Sequence, residues 1–158
     1  MKLMDIVQTA AIVPELHSAN RDDVLAELVD ALVASGAAEA DSRETLIAKL
    51  LEREAKGSTG FGHGVAVPHV KHDSVNRVAA AVGLHPSGID FSALDRQPVY
   101  SVFLLLSPAT KPEDHLQAME VIFKNLSKDT FRRFLRQADS QDAVMTLLDE
   151  ADNQQYAG

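Results

Sequence analysis

The 158-residue sequence contains no cysteine and no tryptophan, and only 5% of its residues are aromatic. Without thiols the chain can form no disulfide, cannot build a zinc ribbon and cannot use a cysteine nucleophile. Long apolar runs are also missing. Residues 102–106 are bounded by Ser101 and Ser107, far short of the roughly 20 apolar residues of a transmembrane helix. Residues 1–5 lack the apolar segment of a signal peptide, so we expect a cytoplasmic protein without membrane insertion.

Basic residues are the minority, with 15 Lys and Arg against 23 Asp and Glu, a formal net charge of −8. This balance disfavours nucleic acid as a partner, because its phosphates would be repelled over most of the surface. The charge is unevenly distributed: residues 1–57 sum to −5, residues 58–111 to +1 and residues 112–158 to −4. The middle third, which also holds four of the six histidines, is the one part that is not acidic.

Apolar residues make up 46% and charged residues 24%, which is typical of one globular domain, here residues 1–158 with a frayed tail at 153–158. Apolar periodicity and capping residues predict helices at 21–35, 42–56, from about 112 after a capping box at Thr110, 129–137 and 140–150. Leu116, Met119, Phe123 and Leu126 are predicted to face the core. Short apolar runs predict strands at 65–67, 78–84 and 99–106. The alternation indicates an α/β domain whose central mixed sheet is flanked by helices on both faces.

Residues 58–64 carry three glycines and are predicted to form a shaped loop rather than a regular strand. Pro68 ends the strand that follows, which places His69 at a strand end, where α/β sheets bind ligands. Glycine loops expose amides that can surround an anion. The inventory around His69 suits phosphate, with hydroxyls, loop amides and cations supplied by Ser58, Thr59, Gly62, Gly64, Arg53 and Lys71.

Residues 60–69, reading GFGHGVAVPH, resemble the glycine-loop, Val-Ala-aliphatic-Pro-His motif of a known family. The family is the enzyme IIA domains of the bacterial sugar phosphotransferase system, of the fructose, mannitol and nitrogen-regulatory type. The resemblance spans about residues 5–150, and the supporting segments occur in the family's order at 89–91, 93–95, 98–99, 103–108 and 115–116. Val70, Phe61, His63 and His72 depart from the family pattern without removing the proposed nucleophile.

The resemblance implies that His69 is phosphorylated by a histidine phosphocarrier protein and passes the phosphoryl group to an enzyme IIB partner. It further implies that His115 stabilises the phosphoryl group, that Arg53 neutralises its charge and that Lys71 is the usual basic residue near the active histidine. Imidazole is neutral and nucleophilic near neutral pH, and phosphoryl transfer needs mainly positioning and charge stabilisation. No cofactor or metal is therefore expected.

Three alternatives stay open at this point. The same site could serve a regulatory module, in which the phosphorylation state of His69 controls binding to target proteins. A metal hydrolase could hold zinc with His63, His69, His72 and Asp73, although their spacing suits a strand end poorly. The run at 60–62 is a weak dinucleotide fingerprint, because it precedes a strand instead of following one. For Arg53, Ser58 and Thr59, capping and loop hydrogen bonding compete with phosphate contact.

Overall fold

The computed structural model describes residues 1–153. Its sheet has six strands: β1 (Val7–Val13), β2 (Gly60–Gly62), β3 (Val65–Ala66), β4 (His69–His72), β5 (Ala79–Ile89) and β6 (Val99–Pro108). The order is β1-β5-β6-β3-β2, and β4 also pairs with β6. β5 and β6 are antiparallel, whereas β1 pairs with β5, and β3 and β4 pair with β6, in parallel. The sheet is therefore mixed, as predicted.

The helices are α1 (Leu3–Ile6), α2 (Arg21–Ala34), α3 (Arg43–Ala55), α4 (Pro112–Leu126), α5 (Asp129–Gln137) and α6 (Gln141–Asp152). They cover both faces of the sheet. α2 and α3 pack with one apolar cluster, which includes Leu28, Leu50 and Leu104. α1 and α4 to α6 pack with the other, which includes Phe103 and Phe131. Among residues 1–153 no helix has the length and apolar character to cross a bilayer.

Pro68 interrupts the strand next to β6 without changing its register. Val65 pairs with Ser101, and His69 pairs with Leu105, so the offset of 36 residues is the same on both sides of the break. Proline has no amide to donate, yet its carbonyl accepts from Leu105 N at 2.9 Å. β3 and β4 thus act as one interrupted strand, and His69 begins its second half.

The prediction of an irregular loop at 58–64 was wrong for residues 60–62, which form β2 and pair antiparallel with β3. The connection is a two-residue turn in which His63 and Gly64 have φ of 60° and 77°. Positive φ at both positions is what a type I′ hairpin turn requires. His63 therefore occupies a backbone position that non-glycine residues seldom adopt.

Other differences concern helix ends and faces. The capping box at Thr110 is absent: Lys111 is the N-cap of α4, and no side chain caps this end. Leu116 is 61% exposed and Phe123 36%, because the core face of α4 lies one position earlier in the sequence. Its buried residues are His115, Ala118, Ile122, Asn125 and Leu126.

α1 and β1 were not predicted from the sequence, and β5 extends five residues beyond its predicted end. The predicted tail at 153–158 lies outside the described residues except for Asn153, which forms a turn.

Candidate functional site

His69 presents one ring nitrogen to the surroundings. Its side chain is half-buried, and Nδ1 lies 2.7 Å from the carbonyl oxygen of Val67. A carbonyl can only accept a hydrogen bond, so Nδ1 carries the proton and Nε2 carries the lone pair. The short bond back to Val67 also fixes the ring orientation. In the uncharged form of the ring, Nε2 is thus the nitrogen that can act as a nucleophile.

His115 faces His69 from the first turn of α4. The ring centroids are 5.6 Å apart, with 48° between the ring planes. Nδ1 of His115 is hydrogen-bonded to Ser107 Oγ at 2.7 Å, and the residue is only 7% exposed. α4 begins shortly after β6 ends, so Ser107 on β6 can hold the first turn of the helix above the end of β4. The contact of His115 with a group bound at His69 stays a prediction.

The pKa of His115 is lowered to about 4, first by burial and then by the charges of His69 and Lys71. Burial disfavours the imidazolium because it removes the hydration that stabilises the charge. His115 is therefore neutral at physiological pH. A neutral ring can make a hydrogen bond to an added phosphoryl group without itself contributing positive charge.

Lys71 supplies a cation to the surroundings of this pair. It lies two residues after His69 on β4, so both side chains project from the same face of the strand. Lys71 pairs in register with Ser107, the residue that holds His115. The lysine is exposed, and its charge contributes to the lowered pKa of His115. The structure thus brings together His69 and Lys71 on β4 with His115 on α4.

Ser58 and Thr59 use their hydroxyls within the protein. Ser58 Oγ donates to the carbonyl of Phe91 at 2.6 Å and accepts from Gly60 N at 3.0 Å. Thr59 Oγ1 donates to the carboxylate of Glu54, which also accepts from Thr59 N at 3.2 Å. These bonds shape the segment before β2. They agree with loop hydrogen bonding, and phosphate contact by either hydroxyl stays a prediction.

Arg53 lies in the last turn of α3 and donates through Nη1 to the carbonyl of Gly57 at 2.6 Å. This bond satisfies a carbonyl beyond the helix C-terminus, where a cation also interacts favourably with the helix dipole. The role in charge neutralisation that the resemblance implies for Arg53 therefore stays a prediction.

Gly62 and Gly64 are explained by the hairpin turn. Their φ values are 111° and 77°, and a Cβ on Gly64 would lie 3.1 Å from Tyr100 Cδ2. The Gly64 carbonyl accepts from the amides of Tyr100 and Ser101, which attaches the turn to the beginning of β6. His69 pairs four residues further along β6, roughly 13 Å at about 3.3 Å per residue. Contact of these two glycine amides with a phosphoryl group stays a prediction, and this separation gives it no support.

The residues named for a zinc site do not come together. In the part of the chain that the structure describes, no three His, Asp or Glu side chains form a group that could hold a metal ion. His63 is exposed on the hairpin turn, and Nδ1 of His72 is bonded to Ser74 Oγ at 2.8 Å. The hydrolase alternative therefore lacks its ligand set.

Comparison with known proteins assigns the chain to a family. Residues 5–151 match the family described as "Phosphoenolpyruvate-dependent sugar phosphotransferase system, EIIA 2". The chain belongs to this EIIA family. The resemblance seen in residues 60–69 is thereby confirmed, and the protein is a component of a phosphotransferase system.

Relatives of this EIIA protein carry two kinds of name. The "PTS system fructose-specific EIIA component" of Haloferax volcanii is 35% identical over 153 residues, covering 93% of this chain and 98% of the relative. The "Nitrogen regulatory protein" of Bradyrhizobium diazoefficiens is 33% identical over 150 residues, covering 94% and 95%. The "PTS system fructose-specific EIIABC component" of Bacillus subtilis is 30% identical, and the match covers 96% of this chain but 24% of that longer protein.

Solved structures show the same fold. Nitrogen Regulatory Protein IIA-Ntr from Neisseria meningitidis superposes with a TM-score of 0.81 at 27% identity, covering 91% of this chain and 97% of that one. Enzyme IIAMTL of Escherichia coli, in a complex with phosphorylated enzyme IIBMTL, superposes with a TM-score of 0.74 at 20% identity, covering 89% and 94%.

Glu54 and Ser107 are the site-supporting residues that the sequence analysis missed. Glu54 is 4% exposed at the end of α3, accepts both bonds from Thr59 and lies 4.0 Å from Arg21 Nη1. A buried carboxylate needs such partners, because an unpaired charge in the interior is costly. These two residues could have been found in the sequence only as polar residues at positions that the apolar pattern of α3 and β6 places in the core.

Glu54→Ala is expected to destabilise the EIIA fold by about 2–3 kcal/mol, because the two donors of Thr59 lose their acceptor in a buried place. Urea unfolding measures the difference. Glu52→Ala removes an exposed carboxylate from the same helix and should change the free energy of unfolding by less than about 0.5 kcal/mol. Equal effects of the two substitutions would show that Glu54 does not organise this segment.

The buried neutral His115 also predicts a pH dependence of stability. Its folded pKa of about 4 lies below the ordinary value of 6.5, so the unfolded chain binds the proton more readily. Its contribution is complete above about pH 6.5 and is lost as the pH falls toward 4. We expect a loss of about 1–2 kcal/mol between pH 7.5 and pH 5, because only part of the interval between the two pKa values is crossed. Urea unfolding at pH 7.5 and pH 5 should show this loss, and His115→Gln should reduce it; an unchanged pH dependence in that variant would contradict the prediction.

Proposed function

We propose that this EIIA protein relays a phosphoryl group through Nε2 of His69. The observation that carries the proposal is the 2.7 Å bond from Nδ1 of His69 to the Val67 carbonyl, which leaves Nε2 as the one nitrogen with an available lone pair. A nucleophile that is oriented and only half-buried suits attack on a phosphorus atom presented by another protein.

The transfer needs no group outside the two proteins. The Nε2 lone pair of His69 forms the new N–P bond as the N–P bond to the donor's histidine breaks. The donor ring, protonated on its other nitrogen, keeps the released electron pair and leaves as a neutral imidazole, while His69 retains its Nδ1 proton. The phosphoryl group adds a charge of about −2 near neutral pH. Lys71 offsets part of that charge, and the neutral His115 donates a hydrogen bond from Nε2 to a phosphoryl oxygen. The second transfer, to the acceptor, reverses these steps.

We propose that the donor is a histidine phosphocarrier protein and that the acceptor is an enzyme IIB domain. The fused EIIABC relative and the complex of enzyme IIAMTL with phosphorylated enzyme IIBMTL support the choice of acceptor. The chain has no cysteine, so a thiol acceptor would lie outside these 158 residues. Charge neutralisation by Arg53, phosphate contacts by Ser58 and Thr59, and a cytoplasmic location are parts of the same proposal.

A regulatory role is the second candidate, and it is supported by the nitrogen regulatory relatives that match almost the full chain. In this case His69 is phosphorylated in the same way, and the unphosphorylated and phosphorylated states bind different target proteins. Affinity capture with wild type and His69→Glu would separate the candidates. A partner retained by one of them supports regulation, and an identical set of captured proteins contradicts it.

The relay is tested with purified phosphocarrier protein, the general phosphotransferase enzyme and phosphoenolpyruvate. The EIIA protein should gain one phosphoryl group, and ¹H–¹⁵N and ³¹P NMR should place it on Nε2. Addition of an enzyme IIB domain should then discharge the protein. No phosphorylation, or a phosphoryl group on Nδ1, would overturn the proposal.

A further inference from the structure

A basic cavity lies at the beginning of β6, roughly 13 Å along that strand from the position that pairs with His69. Its volume is about 430 Å³, and it opens between the hairpin turn, the beginning of β6 and one face of α5. Residues 112–158 are acidic in total, with a sum of −4, yet three of their five basic residues meet in this cavity. The side chains that matter here are His63, Ser101, Asp129, Arg132, Arg133 and Arg136.

Arg132 is already paired within the fold. Nη1 donates to the Leu126 carbonyl at 2.8 Å, and Nη2 lies 3.3 Å from the carboxylate of Asp129. This carboxylate is the one acidic group lining the cavity, and its side chain is 83% exposed. Arg132 therefore anchors the beginning of α5 and cancels the charge of Asp129.

Arg133 and Arg136 leave their positive charges uncompensated. Across residues 1–153 neither guanidinium forms an ion pair with a carboxylate. Arg136 lies over the ring of Tyr100, with Cζ 3.5 Å from the centroid. This stacking fixes the guanidinium plane while its N–H groups stay available at the edge, so less side-chain entropy is lost when they bind an anion. The cavity thus holds two unpaired charges, one of them oriented in advance.

We propose that this cavity binds a small organic phosphate, that is, a phosphate monoester. A phosphate monoester carries about two negative charges near neutral pH, which matches the two uncompensated arginines, and guanidinium groups bind phosphate through paired hydrogen bonds. The volume exceeds what a bare phosphate fills and lies in the range of small-molecule sites. The net charge of −8 of the whole chain disfavours a long polyanion such as nucleic acid.

The site is separate from the proposed phosphoryl relay. Val65, at the cavity, pairs with Ser101, whereas His69 pairs with Leu105, so roughly 13 Å of strand lies between them. Binding here therefore does not require His69, and the two proposals can fail independently.

The test is isothermal titration calorimetry of the full chain with glucose 6-phosphate, inorganic phosphate and glucose at low ionic strength. Glucose 6-phosphate should bind at one site per chain, more tightly than inorganic phosphate, and glucose should not bind. Arg133→Ala should weaken the affinity about tenfold, because it removes one charged hydrogen-bonding group from an exposed position. Arg136→Lys keeps the charge but loses the planar guanidinium that stacks on Tyr100, and it should also weaken the affinity for glucose 6-phosphate.

Two controls separate this site from the rest of the surface. Arg77→Ala removes an exposed arginine elsewhere, and His69→Ala removes the proposed phosphoryl acceptor; both should bind glucose 6-phosphate like the wild type. Circular dichroism and the thermal midpoint verify that each variant is folded. Absence of saturable binding, equal affinity for inorganic phosphate, or loss of binding in the His69 variant instead of the Arg133 variant would overturn the proposal.

Discussion

Replacing His69 with alanine is expected to abolish phosphorylation of this EIIA protein by the phosphocarrier protein. The substitution removes Nε2, and no other imidazole in the described residues combines surface access with the orientation that the Val67 carbonyl imposes. Transfer of label from ³²P-phosphoenolpyruvate through the general enzymes measures the effect. The fold should survive, because His69 is half-buried at the edge of the core.

His72→Ala is the matched control for that experiment. His72 lies on the same strand, is also half-buried, and has Nδ1 occupied by Ser74. Its removal should leave labelling intact. Label that persists in the His69 variant and disappears in the His72 variant would move the phosphoryl site by three residues and would refute the assignment.

Most of the fold was predictable because its signals are local. The cap of α2 is a clear case: Asn20 accepts from Asp23 N at 2.9 Å, as expected from asparagine before an apolar helical pattern. β6 was predicted from an uninterrupted apolar run, and it lies at the centre of the sheet with most of its side chains buried. In both cases the residue pattern alone decides the structure.

The hairpin of β2 and β3 could not be predicted from glycine content. Glycines at 60, 62 and 64 lower the strand propensity of this segment, but its pairing with β3 outweighs that effect. The turn between the two strands has positive φ at His63 and Gly64. Tertiary contacts with Tyr100 and Ser101 hold the turn in this conformation. Such contacts join residues more than 30 positions apart, so no local pattern contains them.

Local sequence pointed to His69 as a candidate more directly than to the residues that surround it. Pro68 and the glycines drew attention to His69 from local sequence, whereas His115, 46 positions later, was paired with it through the family resemblance. The physical link is the parallel pairing of β4 with β6, because α4 follows β6 and begins beside the end of β4. The basic cavity at α5 could not be predicted from the net charge of residues 112–158, which is negative. A sum of charges does not show which residues share a helix face.

Replacing His115 with alanine is expected to slow phosphorylation of His69 by about 10²- to 10³-fold without abolishing it. The nucleophile remains, but the transferring phosphoryl group loses a positioned partner in a partly buried site, a loss of about 2.7–4 kcal/mol of transition-state stabilisation. Single-turnover rates by rapid quench measure the effect. Ser107→Ala should give a smaller decrease, because His115 stays in place but loses the 2.7 Å bond that orients it.

The pH dependence of the phosphorylation rate shows whether His115 stabilises the phosphoryl group as a neutral ring or as a cation. The pKa of His115 is about 4, so the wild-type rate should show no ionisation of this residue between pH 6 and pH 8. His115→Gln retains an amide donor and should recover part of the rate lost in the alanine variant, since a neutral donor is sufficient. If His115→Lys restored the rate and His115→Gln did not, positive charge would be what this position supplies, and the neutral role inferred from the burial of the ring would be wrong.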